Sequence, residues 1–381
     1  MSITAKFAST GSAASTLKRT NVHVTRIPEL DALRGLAAVT IVLFHAYPSQ
    51  LFFGWSAVDL FFVLSGYLIT SIIISNASRK GFLSSFYIRR ILRIWPVYFL
   101  TLGVVLLLNA FATTGYPTVG LLQHMTFTQN IQGYWGGSPP PFVRPFAPSW
   151  SIAVEEQFYL LWPLCLILFG VRYVPALALG TLATVVVLRT VGIPINLLLG
   201  RGDGLALGCL LAGILASHVD ISKVKKVLLP LGLSSLGWIG FIAITGWGDP
   251  EPRAILAFAI LYSCLVALIV IHSGHPLLKI LRAKPLRYLG LISYSMYLFH
   301  NPIFNYAPPI LRHFGLSSRI FVWALIAGLP ILSYRFLERP VLRLKERVSY
   351  GRGRQIQPDI AKQSAATGNG TSICAVRSPT A

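Results

Sequence analysis

At 381 residues, 54% of them hydrophobic and only 12% charged, the chain is far poorer in charge than an average soluble protein, in which about a quarter of residues are charged. That composition excludes a water-soluble globular fold. The 33 Lys and Arg against 12 Asp and Glu give a formal charge of +21. In a soluble chain this would point to nucleic acid, but here the basic residues cluster in the gaps between apolar runs, which is the pattern of membrane topology, so no nucleic-acid partner is expected.

In chain order, residues 1–28 are rich in Ser and Thr and hold no acid. Organelle transit peptides share that composition, but no short apolar core with a small-residue cleavage site precedes Glu29 and Asp31, so a disordered cytosolic extension is expected. Residues 29–344 then read as one membrane domain. A helix needs about 20 apolar residues to cross a hydrocarbon core about 30 Å thick, and about ten runs approach that length. They lie near Leu33 to Tyr47, Trp55 to Ser75, Leu92 to Phe111, Trp150 to Phe169, Val174 to Val191, Gly204 to Ala216, Val227 to Thr245, Ala254 to Ile271, Leu289 to Tyr306 and Ile320 to Leu337. The first and sixth are short, which suggests helices that begin ahead of the run or face a cavity. Thr113 to Ser149 is the longest connection and reads as an exposed acceptor-binding loop or a re-entrant one. Residues 345–381, Gly-, Ser- and Gln-rich toward their end, read as a disordered cytosolic tail.

With the amino terminus in the cytosol, the inside loops collect Lys18 to Arg26, Arg79 to Arg93, Lys223 to Lys226, Lys279 to Arg287 and Arg343 to Arg354. The outside loops keep mainly Arg144, Arg201, Arg253, Arg312 and Arg319. This positive-inside asymmetry predicts an all-α integral membrane protein, a bundle of about ten transmembrane helices with both termini cytosolic, in multi-pass contact with the lipid of the cell (inner) membrane. Cys165, Cys209, Cys264 and Cys374 are scattered and read as free thiols. No His, Cys or acid pattern has metal-ligand spacing, so no metal is expected.

Ionisable side chains at membrane depth cost several kcal/mol, about 2.5–3.5 even on a lenient scale, and so mark cavities or partners. In the first span Arg34 and His45 are eleven residues apart, which puts them on one helical face about 16 Å from each other along the axis. That arrangement suits the two ends of one elongated ligand; spacing alone leaves open that His45 packs and Arg34 snorkels. FYIRRILRIWPVY sets Arg89, Arg90 and Arg93 at the cytosolic mouth of the third span, where three guanidinium groups suit phosphates and also suit simple anchoring. Asp59, Arg201 and Asp203 read as supporting groups. Glu155 and Glu156 are neighbours, about 100° apart on a helix, so only one is expected to reach a given cavity. His300 lies before Asn-Pro at a helix break, and Glu338 is expected to pair with Arg335 or Arg339.

The ordered series LDALRGLAAVTIVLFH, VDLFFVLSGYLI, FYIRRILRIWPVY, SWSIAVEEQFYLLWP, RGDGLALG, ISYSMYLFHNP and LERP resembles the membrane-bound acyltransferase-3 family over roughly Ile27 to Leu344. That family's signature, an arginine and a histidine separated by ten residues, falls on Arg34 and His45. The resemblance implies an enzyme that moves an acyl group, usually acetyl, from cytosolic acyl-coenzyme A to a hydroxyl of a sugar-containing acceptor such as a cell-surface polysaccharide, exopolysaccharide or glycolipid. Some members add an extracytoplasmic hydrolase-like domain; here a short polar tail follows, so transfer is expected to finish within the membrane domain. His45 is the expected base, with Glu155 orienting it or an arginine. Arg34, Arg89, Arg90 and Arg93 are expected to hold the coenzyme A phosphates, and Asp59, Glu156, Arg201, Asp203 and His300 to support the site. The rival reading is a proton-coupled transporter, which shares buried carboxylates and a buried histidine but calls for an internal repeat that this sequence lacks.

Overall fold

A computed structural model describes residues 27–111, 120–131, 141–217, 219–245, 252–313 and 318–348. The expected extension up to residue 26, the tail beyond 348 and much of the Thr113 to Ser149 connection lie outside the described residues. Within them the chain is helical, with no strand. The principal helices are α1 (Pro28–Ala46), α2 (Ala57–Asn76), α3 (Phe82–Phe111), α4 (Trp150–Phe169), α5 (Val174–Thr190), α6 (Asp203–Ala216), α7 (Ile221–Thr245), α8 (Pro252–Ile271), α9 (Lys284–His313), α10 (Ser318–Ser333) and α11 (Arg339–Arg347).

Among the described residues seven helical segments are long and apolar enough to cross a bilayer, which bears out an all-α integral membrane protein. They carry α2, α3, α4, α5, α7, α8 and the run through α10 and α11. The other three expected spans coincide with α1, α6 and α9. Glu29, Asp31 and Arg34 make α1 polar at its start, α6 has only 14 residues, and α9 contains Pro302, Pro308 and Pro309.

Helix α2 sits at the centre because it is apolar all round, and a helix of that kind has no face to give to water. Phe62, Val63, Leu64 and Ile73 are fully buried. Its closest partner is α6, and the approach depends on glycine. A Cβ on Gly66 would collide with the Leu205 carbonyl, and one on Gly208 with the Val63 carbonyl. Small residues at such a contact let backbones meet where lipid supplies no hydrophobic drive of its own. Helix α1 packs against α9 in the same way, with Gly290 against the Asp31 backbone and Gly35 against Gly290. At the periphery, α7 exposes Leu229, Leu233, Leu236 and Ile244, as a lipid-facing helix should.

Three local expectations are corrected. Arg201, expected in an outside loop, is 3% exposed and paired inside the bundle. Residues 345–347, expected in the disordered tail, close α11, and Arg89 donates to the carbonyls of Lys345 (3.1 Å) and Val348 (2.6 Å). Glu338 does not pair with Arg335 or Arg339. It ends a π-helical turn, Tyr334–Glu338, whose wider winding turns the carboxylate inward to accept from Ser295 and lie 3.8 Å from Arg93. Cys165, Cys209 and Cys264 are free thiols; Cys374 lies outside the described residues.

Candidate active site

Arg34 lies about two turns into α1 and His45 one residue from its end, and each lines a different cavity. The first cavity, about 610 Å³, lies at the end of the bundle that holds the start of α1, the start of α3 and α11. Arg34, Arg89, Arg90, Arg93, Arg339, Arg343 and Lys345 line it, against the acids Asp31, Glu155 and Glu346. The sum is strongly cationic. All four arginines expected to bind phosphate line it, Arg34 from α1 and Arg89, Arg90 and Arg93 from α3.

They do not play equal parts. Arg89 clasps α11 through the two carbonyls noted above. The Arg90 guanidinium lies over the rings of Phe86 and Tyr159, 5.6 Å from each centroid. Arg93 faces Glu338, and Arg34 interacts electrostatically with Glu155 and Asp31. The Glu155 carboxylate accepts from Ser65 Oγ at 2.6 Å, and the Tyr159 hydroxyl donates to the same Oγ at 2.9 Å. Glu155 is thus an arginine's neighbour in the cationic cavity, while His45 lines the other one. Glu156, about 100° around α4, turns away and accepts from Trp95 Nε1 at 3.2 Å.

The second cavity, about 490 Å³, opens among the end of α1 and the beginnings of α2 and α4. His45, Phe44, Trp55, Trp150, Arg201 and Asn301 supply most of its character. The imidazole of His45 is exposed here. Its Nδ1 lies 2.9 Å from the Ile41 carbonyl, an atom that only accepts, so Nδ1 carries the proton and Nε2 keeps its lone pair. That is the tautomer a base needs. His300, fully buried, lies beside it with ring centroids 4.9 Å apart. Its Nδ1 is likewise fixed by a carbonyl, that of Tyr297, and its Nε2 has no partner among the described residues.

Behind this cavity runs a buried ion network. Arg201 donates from Nε and Nη2 to the two oxygens of Asp59, at 3.0 and 2.9 Å, a bidentate pair in which neither partner is more than 3% exposed. Its guanidinium also lies 5.0 Å from the Trp55 ring and 5.4 Å from that of Trp150. Asp203 turns to Arg189 at 2.9 Å. The supporting trio expected from the sequence thus divides into Asp59 with Arg201, and Asp203 with a residue that was not singled out.

Two side chains, Val58 and Tyr297, line both cavities. The Tyr297 hydroxyl donates to the Pro148 carbonyl at 2.7 Å and lies 2.6 Å from Ser151 Oγ, which ties α9 to the head of α4. Sequence reading missed Tyr297, Ser65, Tyr159, Trp55 and Arg189. All but Arg189 lie inside or beside quoted motifs, yet they are uncharged, and a search for charge at membrane depth passes over them.

A family model described as an acyltransferase domain, that of acyltransferase 3, matches residues 27–334. The chain is 30% identical over 363 residues to the peptidoglycan O-acetyltransferase OatA of Listeria monocytogenes, covering 85% of this chain and 57% of that protein. It is 30% identical over 354 residues to the O-acetyltransferase OatA of Staphylococcus aureus, covering 83% and 57%, and 29% identical over 359 residues to the putative peptidoglycan O-acetyltransferase YrhL of Bacillus subtilis, covering 84% and 55%. The chain therefore spans little more than half the length of these curated relatives. No solved structure matches it.

Proposed function

The chain belongs to the membrane-bound acyltransferase-3 family and carries its acyltransferase domain, and from that premise we propose that it moves an acetyl group from cytosolic acyl-coenzyme A to a hydroxyl of a cell-envelope glycan. The observation that carries this reading is the pair of cavities that share Val58 and Tyr297 in their walls, one cationic and one holding His45. A cationic cavity at the cytosolic end suits a phosphate-bearing donor. An exposed imidazole in the other cavity suits an acceptor hydroxyl.

In this reading both termini are cytosolic and the protein lies in the cell membrane. Arg34, Arg90 and Arg93 hold the donor's phosphates by charge-assisted hydrogen bonds, with Arg89 keeping α11 closed over them. Coenzyme A fits the cavity chemically because seven basic side chains face three acids there. The donor's acyl-bearing arm extends past Val58 and Tyr297. His45 Nε2 takes the proton of the acceptor hydroxyl as that oxygen attacks the acyl carbonyl. The C–S bond breaks, and His45 returns the same proton to the departing thiolate, so the imidazole ends as it began. His300 holds the His45 ring in place, and Glu155 fixes Arg34.

Cells lacking the native protein and complemented with wild type or His45→Ala test the reading. At equal membrane expression, wild type is expected to restore O-acetyl groups on extracted envelope glycans and His45→Ala to leave less than about one hundredth of that signal, the size of a general-base contribution. Full retention in the mutant would remove His45 from the chemistry.

A further inference from the structure

One face of α2 and one face of α9 each line both cavities. Along α2 and the turn that leads into it, Trp55 lines the His45 cavity, Val58 lines both, and Phe62 and Ser65 line the cationic one. Steps of three and four residues keep these side chains on one helical face. Helix α9, in the opposite order, places Tyr294 on the cationic cavity, Tyr297 on both and Asn301 on the His45 cavity, again in steps of three and four. The Phe61 and Tyr297 rings, with centroids 6.1 Å apart, set the two helices side by side at this level. The changeover is tightly walled, Val58 being 8% exposed and Tyr297 7%. Its aromatic side is also tethered. The Tyr297 hydroxyl donates to the carbonyl of Pro148, in the wall of the His45 cavity, and lies against Ser151 Oγ, in the wall of the cationic one.

We infer that Val58 and Tyr297 form the aperture through which the acyl group reaches His45, and that they select acyl groups by cross-section, admitting unbranched ones and excluding those branched beside the carbonyl. The inference rests on the acyl-transfer reading and names the class of acyl group it takes. In that reading the thioester has to leave the cavity of the arginines for that of the imidazole, and the residues common to both walls are the ones it passes. A straight acyl chain is no wider than the arm that carries it, so an aperture that passes the arm passes acetyl and n-butyryl alike. A methyl branch next to the carbonyl adds width just where a tethered ring and a β-branched valine, stiff at χ1 and held in a close-packed wall, give little way. Discrimination of one such group by packing is worth about 10-fold or more in kcat/KM.

Competition between n-butyryl- and isobutyryl-coenzyme A tests this, because the two are isomers that differ in shape alone. Washed, broken-cell envelopes from the complemented cells, which keep their own glycans, receive the two donors as an equimolar mixture. The acyl groups are then released from the extracted glycans as acids and separated by gas chromatography, and the product ratio gives the ratio of kcat/KM at any expression level. Wild type is expected to favour n-butyryl about 10-fold or more. Val58→Ala, which widens the aperture, and Tyr297→Phe, which frees the ring from Pro148 and Ser151, are each expected to lower that preference by at least about 3-fold. Val58→Thr, of equal width, is expected to keep it. Wild type taking both isomers equally or neither, both Val58→Ala and Tyr297→Phe keeping the full preference, or Val58→Thr losing it as Val58→Ala does would overturn the aperture. Acetyl transfer that depends on His45 alongside any of these results would leave the acyl-transfer reading standing, whereas the absence of His45-dependent transfer of any acyl group would sink both.

Discussion

Arg201 shows how one side chain is held and why its position matters. A guanidinium sealed among indoles is tolerable only with its counter-ion, and Asp59 supplies both oxygens. Breaking one partner of a buried pair leaves an uncompensated charge and costs about 3–5 kcal/mol. Asp59→Asn is therefore expected to lower the thermal unfolding midpoint of the detergent-solubilised protein markedly and to disturb the Trp55 wall; an unchanged midpoint would show that Arg201 finds another counter-charge. Arg34 and His45 were legible from spacing, because eleven residues of helix fix both face and separation. The Asp59–Arg201 pair was not, since 142 residues separate the partners and both were placed by motif alone. Nor was the Trp55 N–H, which has no partner among the described residues, because whether a donor is satisfied depends on neighbours brought in by other helices.

Among the elements, α1 is anchored by its first turn as well as by its apolar face. The Glu29 carboxylate, ahead of the apolar run that starts at Leu33, accepts from the Gly274 amide at 3.1 Å, from Arg282 at 3.3 Å and from Ser273 at 3.3 Å. These bonds tie the α8–α9 connection to the start of α1. Burial raises the Glu29 pKa, but the Gly274 amide, its own backbone N–H, Arg282 and Ser273 outweigh that and hold it below the usual carboxylate range. A carboxyl depressed on folding gives its full stabilisation above its unfolded value, about 4.3, and loses it as pH falls through the folded one. Wild type is expected to lose more thermal stability than Glu29→Gln between pH 6 and about pH 3, so that the gap between their midpoints closes on acidification. A gap independent of pH would contradict the role given to the charge. The sequence located the apolar helices well, and it misplaced the start of the tail because α11 is amphipathic and charged. Its order comes from Arg89, on a helix some 250 residues earlier in the chain.

At the scale of the whole molecule, α1 carries Arg34 into a cationic cavity and His45 into a second cavity whose one full charge, Arg201, is paired. The division of labour follows from electrostatics: Arg34, Arg89, Arg90 and Arg93 make one cavity cationic, while Asp59 neutralises Arg201 beside the other. An account in which donor and acceptor enter from opposite faces makes a vectorial claim. The direct measurement is transfer by the purified chain in sealed liposomes, with radiolabelled acetyl-coenzyme A on one face and soluble glycan strands confined to the other. Labelled glycan is expected when the donor is on the face bearing Arg89, Arg90 and Arg93 and the acceptor on the face bearing His45, and not when both share one face; efficient transfer with both on the arginine face would contradict it.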